Sequence, residues 1–215
     1  MSNDFEKFER KAMTRIDYKK ELKNLYTASV KQPTLVDVPT FGYLRIDGIG
    51  DPNTSSAYQD AVKSLFSLAY TIKFAVRKSS TAIDYAVMPL EGLWWMDDMR
   101  QFSVARKHEW KWTMMIMQPT IVTQPMADTC RSELARKKDL AALSKVEFAA
   151  FKEGKAAQIL HIGPFIEEGP TIEKLHGFIE ANGLKLAGKH HEIYLSDTRR
   201  ATPAKWKTII RQPVE

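Results

Sequence analysis

A chain of 215 residues with 44% hydrophobic and 27% charged residues has room for one larger domain or two small ones, and its balance is that of a soluble globular protein. The net charge of +6 is spread along the chain, and Lys137-Lys138 and Arg199-Arg200 are only doublets, which argues against stable nucleic-acid binding. A single cysteine, Cys130, excludes an internal disulfide and a cysteine-based zinc site. No apolar run approaches the roughly 18 residues of a membrane span, and the opening stretch Met1 to Met13 is charged rather than apolar. The expectation is a cytoplasmic protein with no membrane partner.

Residues 5–28 carry Phe5, Phe8, Leu22, Leu25 and Tyr26 as occasional apolar points among charges, which fits an N-terminal arm or one helix over 1–30. Leu35 to Val38 forms a short extended segment that Pro39 closes, and Phe41 to Asp47 forms a strand ending at Gly48 and Gly50. Thr54 or Ser55 caps a helix over 56–76, whose Val62, Leu65, Phe66, Ala69, Ile72 and Val76 fall at helical spacing. Residues 82–95 read as one strand, and Glu109 to Met117 as another whose side chains alternate. After Pro119 the stretch 124–150 reads as helical.

The order then restarts. A strand over 155–162 precedes an acidic turn with Gly and Pro and a short helix carrying Ile172, Leu175 and Ile179, which Asn182-Gly183 ends. Strands 190–197 and 206–211 follow. The two halves share this order, and Trp110-Lys111 before Gln118-Pro119 matches Trp206-Lys207 before Gln212-Pro213. The expected fold class is therefore α+β: duplicated β-α-β-β units, 35–119 and 153–215, separated by a helical insertion over 124–150. The units would form a curved antiparallel sheet with the helices on one face and a ligand cleft between the repeats.

Within His190 to Asp197, strand alternation puts Glu192, Tyr194 and Ser196 on one face and Ile193 and Leu195 on the other. Glu192 is then either a wet carboxylate on an edge strand or a buried one that a ligand requires. Candidate groove residues are Tyr43, Tyr85, Trp94, Trp95, Trp112 and Met114, because aromatic faces stack on planar or cationic ligands and Met adapts to irregular ones. Each is equally readable as plain core. Trp94 and Trp95, being adjacent, cannot both face inward on a strand. The histidines show no metal-ligand spacing, and no cofactor motif is present.

The blocks Asp17 to Tyr26, Ile46 to Asn53, Met88 to Trp95 and His190 to Asp197 make the chain, over 13–215, resemble the GyrI-like small-molecule-binding family, in its stand-alone members with no DNA-binding domain. The resemblance implies two β-α-β-β units (SHS2-type repeats) around a cleft across 31–215, with Glu192 as the carboxylate at the cleft floor. One branch is similar to hydrolases that open the cyclopropane of DNA-alkylating compounds. On that reading Glu192 is the base, Tyr194 a donor or water-positioning group, Glu91 a second candidate carboxylate, and the tryptophans the slot for a planar xenobiotic. The alternative is a module that binds lipophilic cationic drugs without chemistry, with Glu192 as the counter-charge.

Overall fold

The computed structural model describes residues 13–99 and 103–215. Six antiparallel strands close into a barrel: β2 (Thr34–Ile49), β5 (Lys111–Gln118), β4 (Leu90–Trp95), β7 (His190–Tyr194), β8 (Lys207–Pro213) and β6 (Glu147–Ile162), in that order. The sheet is thus closed rather than merely curved. The pairing runs β2–β5–β4 in one half and β6–β8–β7 in the other, and the halves join through β2–β6 and β4–β7. A separate parallel pair joins β1 (Thr14–Ile16) to β3 (Ile83–Tyr85). Residues 82–95 are therefore two strands, with Pro89 in the break.

β2 continues through Pro39 instead of stopping there. Its first part, from Thr34 to Arg45, pairs with β6, whereas β5 joins on the other side only from Gly42 onward. Pro39 lies where that second neighbour is missing, so its lack of an N–H breaks no ladder bond there. β6 likewise begins at Glu147 rather than Lys155, because the stretch 147–155 pairs along β2. The helical stretch expected over 124–150 shrinks to α4 (Gln124–Lys137) and a 3-10 turn at Leu143–Lys145.

The N-terminal segment forms two short helical turns, α1 (Tyr18–Glu21) and α2 (Lys23–Tyr26). α3 (Ser56–Lys78) starts where Ser55 Oγ accepts from the Tyr58 N–H. Its buried stripe is Ala61, Leu65, Leu68, Ala69, Ile72 and Val76, rotated slightly from the predicted one, so Val62 and Phe66 sit at its margin. α5 (Gly169–Ala181) buries Leu175 and Ile179 against Ala157, Ile159 and Ile210. A 23-residue helix cannot fit inside six strands, so the face that meets α3 and α5 is the outer one. Burial on the helix side and inside the barrel explains why β5 is apolar on both faces.

Candidate functional site

β7 lies between β4 and β8, so it is not an edge, and the wet-edge reading of Glu192 does not hold. The register places one row around the outer face: Ile46, Met114, Gly92, Glu192, Ile210 and Ile159. Glu192 is thus a carboxylate set into an otherwise apolar belt, beside a glycine. Its side chain is only 14% exposed.

Two hydrogen bonds reach that carboxylate, and a third backs one of them. Trp94 Nε1 donates to Tyr194 Oη at 3.0 Å, and the Tyr194 hydroxyl donates onward to Glu192 Oε2 at 2.7 Å. The other oxygen, Oε1, meets His190 Nε2 at 3.2 Å. Strand alternation makes this possible, because His190, Glu192 and Tyr194 all project from one face. Gly92 leaves the space the relay needs: a Cβ there would lie 2.8 Å from Trp94 Nε1 and 3.0 Å from Tyr194 Oη. Burial, and then the charge of Glu192, raise the Tyr194 phenol well above its ordinary value, so it remains a donor.

Aromatic walls rise around this floor. Tyr58, from the first turn of α3, stacks on Trp94 at 6.1 Å and meets Trp112 edge-on at 5.4 Å. Trp110 closes on Trp94 at 5.8 Å. On the other side Phe165 packs edge-on against Tyr194 at 5.5 Å and tilts over Trp206 at 4.9 Å. Trp112 is a buried support, wedged against Gly48, where a Cβ would come within 2.2 Å of its ring.

A second carboxyl, Glu168, reaches the floor from the start of α5 and is 4% exposed. It faces Glu192 and Thr208. Burial, and then the negative charge of Glu192, push its carboxyl far above the usual range. Glu168 Oε1 and Thr208 Oγ1 are buried without a hydrogen-bond partner, leaving two polar atoms turned toward this floor.

The predicted site residues divide. Glu192, Tyr194, Trp94 and Trp112 come together, and Met114, fully buried, lies beside Gly92 on the neighbouring strand. Glu91 does not join them. It is one residue out of phase with Gly92 and points into the barrel, where it accepts from Tyr26 Oη at 2.7 Å and meets His191 Nε2 at 3.1 Å. Tyr43 also faces inward, edge-on to Phe151. Trp95 turns away from Trp94 and carries Lys189 Nζ over its ring at 3.2 Å. Tyr85 belongs to the small parallel sheet and packs edge-on against Tyr18. Sequence reasoning missed Glu168, which reads as an ordinary turn acid, and Tyr58, which lies off the helix stripe. A glycine inside an apolar strand was the available signal for Gly92.

Two surface grooves beside α4 have volumes of about 830 and 490 Å³ and are lined by residues such as Arg131, Arg136, Lys137, Tyr70 and Phe74. Neither contains a residue of the Glu192 floor.

The family model of the GyrI-like small molecule binding domain matches residues 31–215. No curated protein matches the sequence. Among solved structures, an uncharacterized conserved protein from Listeria innocua is similar at 40% identity, covering 93% of this chain and all of that one, with a TM-score of 0.86. A structure described as a hydrolase from Listeria innocua is also 40% identical, over 93% of this chain and all of its own, with a TM-score of 0.81. The EcmrR C-terminal domain shares the fold at 17% identity and a TM-score of 0.51, over 86% and 97% of the two chains.

Proposed function

The chain belongs to the GyrI-like small-molecule-binding family, and from that premise we propose that it is a hydrolase of planar, lipophilic, electrophilic compounds that bind on the Glu192 floor. The substrate class is cyclopropane-bearing DNA-alkylating xenobiotics, whose strained ring is opened by water. The observation that carries this reading is the Trp94–Tyr194–Glu192 relay set among the rings of Tyr58, Trp110 and Phe165. A similar protein described as a hydrolase supports the reaction class.

In this mechanism the planar ligand lies against Trp94, Tyr58 and Phe165. Glu192 keeps lone pairs beyond those that Tyr194 and His190 use, so it can take a proton from an attacking water. The relay holds the carboxylate in one orientation, so little reorganisation is needed when water is deprotonated. The hydroxyl oxygen adds to a cyclopropane carbon, the strained C–C bond breaks, and its electron pair passes into the conjugated carbonyl.

The test incubates the protein with a cyclopropyl-conjugated dienone and follows the compound by mass spectrometry. A water-added product, lost in Glu192→Gln, is the expected result. Unchanged compound that binds tightly to the wild type would instead establish the second reading, a non-catalytic binder of lipophilic cations, for which Glu192 among π faces is also suited.

A further inference from the structure

Ring opening also needs a proton donor for the carbonyl oxygen, and neither Tyr194 nor His190 is free for that task, since both are directed at Glu192. We propose that Glu168 is the catalytic acid, sharing one proton with Glu192 across the cleft floor. This inference rests on the hydrolase reading and names the second half of its chemistry.

The backbone sets the placement. Gly163, at φ +144°, turns the chain after β6, and Phe165–Glu167 form a single 3-10 turn that delivers Glu168 to the N-cap position just before α5. Residues at such positions usually spend their side chain capping the helix, as Ser55 and Thr123 do here. Glu168 does not, and only its backbone oxygen receives the Thr171 and Ile172 N–H groups. Its carboxyl turns down onto β7 and β8 instead, with Oε1 unpartnered. A buried carboxyl that neither caps nor pairs with a cation is costly unless it is neutral or meets a ligand.

Two neighbouring carboxyls in an apolar setting cannot both ionise, so one proton is held between them. The surroundings decide where it resides. Glu192 is the more exposed, and it accepts a hydrogen bond from the Tyr194 hydroxyl and meets the His190 ring. Glu168 is 4% exposed and faces the negative charge of Glu192, and burial and that charge favour a neutral acid over the opposing pull of the Thr208 hydroxyl. The division resembles that of other acid–base carboxyl pairs whose environments push their affinities apart.

The proton balance closes. Glu192 takes one proton from water as the hydroxyl forms the new C–O bond, and the C–C bond electrons reach the carbonyl oxygen. Glu168 gives that oxygen its proton, producing a phenol from the dienone. Transfer from the newly protonated Glu192 to the anionic Glu168 restores the starting state, and the net change is addition of one water.

Glu168→Gln keeps the shape and polarity but cannot transfer a proton. With a cyclopropyl-conjugated dienone as the probe, kcat is expected to fall about 10²-fold, with binding little changed and the alkaline limb of the pH–rate profile abolished. Infrared spectra of the free protein at neutral pH should show a protonated carboxyl band that this variant lacks. A Glu168→Gln enzyme with full kcat and an unchanged pH profile, beside an inactive Glu192→Gln, overturns the inference and leaves the hydrolase reading standing. Wild-type protein that binds the dienone without converting it overturns both, and absence of the carboxyl band overturns the shared proton alone.

Discussion

The two faces of strands β4 and β7 carry two carboxylate clusters with opposite electrostatic designs. Inside the barrel, Glu91 and Glu153 flank His191 at 3.1 and 2.8 Å, and Arg211 Nη1 donates to Glu153 at 3.0 Å. Arg211 also donates to Gln158 and to the Leu25 carbonyl, while Gln158 donates to the Asn24 and Thr27 carbonyls, which ties α2 and the chain just after it to the barrel. Two anions meet two cations, and each charge is satisfied. On the outer face Glu192 and Glu168 meet each other among aromatic rings, with the His190 ring 3.2 Å from Glu192. Paired charges make a scaffold; mismatched charges hold a mobile proton. His191 and Glu192 are adjacent in sequence, so strand alternation alone separates the two roles.

Removing a member of each cluster should have opposite signatures. Arg211→Met strands Glu153 in the interior and should cost about 3–5 kcal/mol of stability, measured by urea unfolding. Glu192→Gln should leave the urea midpoint unchanged or raised, because it removes a largely buried charge, while dienone hydrolysis drops about 10²–10⁴-fold. Equal loss of stability in both variants would erase the distinction.

The interior cluster also predicts the pH dependence of stability. Burial alone would lower the His191 pKa, but Glu153 and Glu91 outweigh it and raise the value from 6.5 to about 9. Its contribution is then complete below pH 6.5 and is lost as pH rises through about 9. Burial alone would raise Glu153, but His191 and Arg211 pull it from 4.5 down to about 2, so its contribution is present above pH 4.5 and lost as pH falls through about 2. Urea midpoints should therefore form a plateau between these windows, and Glu153→Gln should flatten both limbs.

The smallest effect sharpens the comparison on the outer side. Gly92→Ala keeps every side chain of the relay but puts a methyl 2.8 Å from Trp94 Nε1, which forces the relay to shift. Hydrolysis should slow about tenfold, a rise of about 1.4 kcal/mol in the barrier, with binding of the dienone less affected. An unchanged rate would show that the relay orientation is not used.

Much of this was readable from local pattern. The face shared by Glu192 and Tyr194 follows from alternation, and α3 from its stripe and its Ser55 cap. What escaped depends on long-range pairing. Pro39 looked like a stop because sequence does not show that its N–H side has no neighbour at that point. Glu91 looked equivalent to Glu192 because both are carboxylates in apolar strands, and only the register with His191 and Gly92 sends them to opposite faces. Glu168 stayed hidden because an acid beside Gly and Pro is ordinary turn chemistry until the chain folds it onto β7.

Each barrel strand has a hydrogen-bonded neighbour on both sides, so the sheet offers little freedom to reshape itself around a new compound. Tyr58, Phe165 and Trp206, by contrast, come from a helix start and two connecting segments. Diversification of substrate range among proteins of this build should therefore accumulate in those three segments, with the strands inherited almost unaltered. A library confined to residues 54–58, 163–167 and 198–206 would sample new specificities while leaving Glu168 and the barrel's charge network untouched.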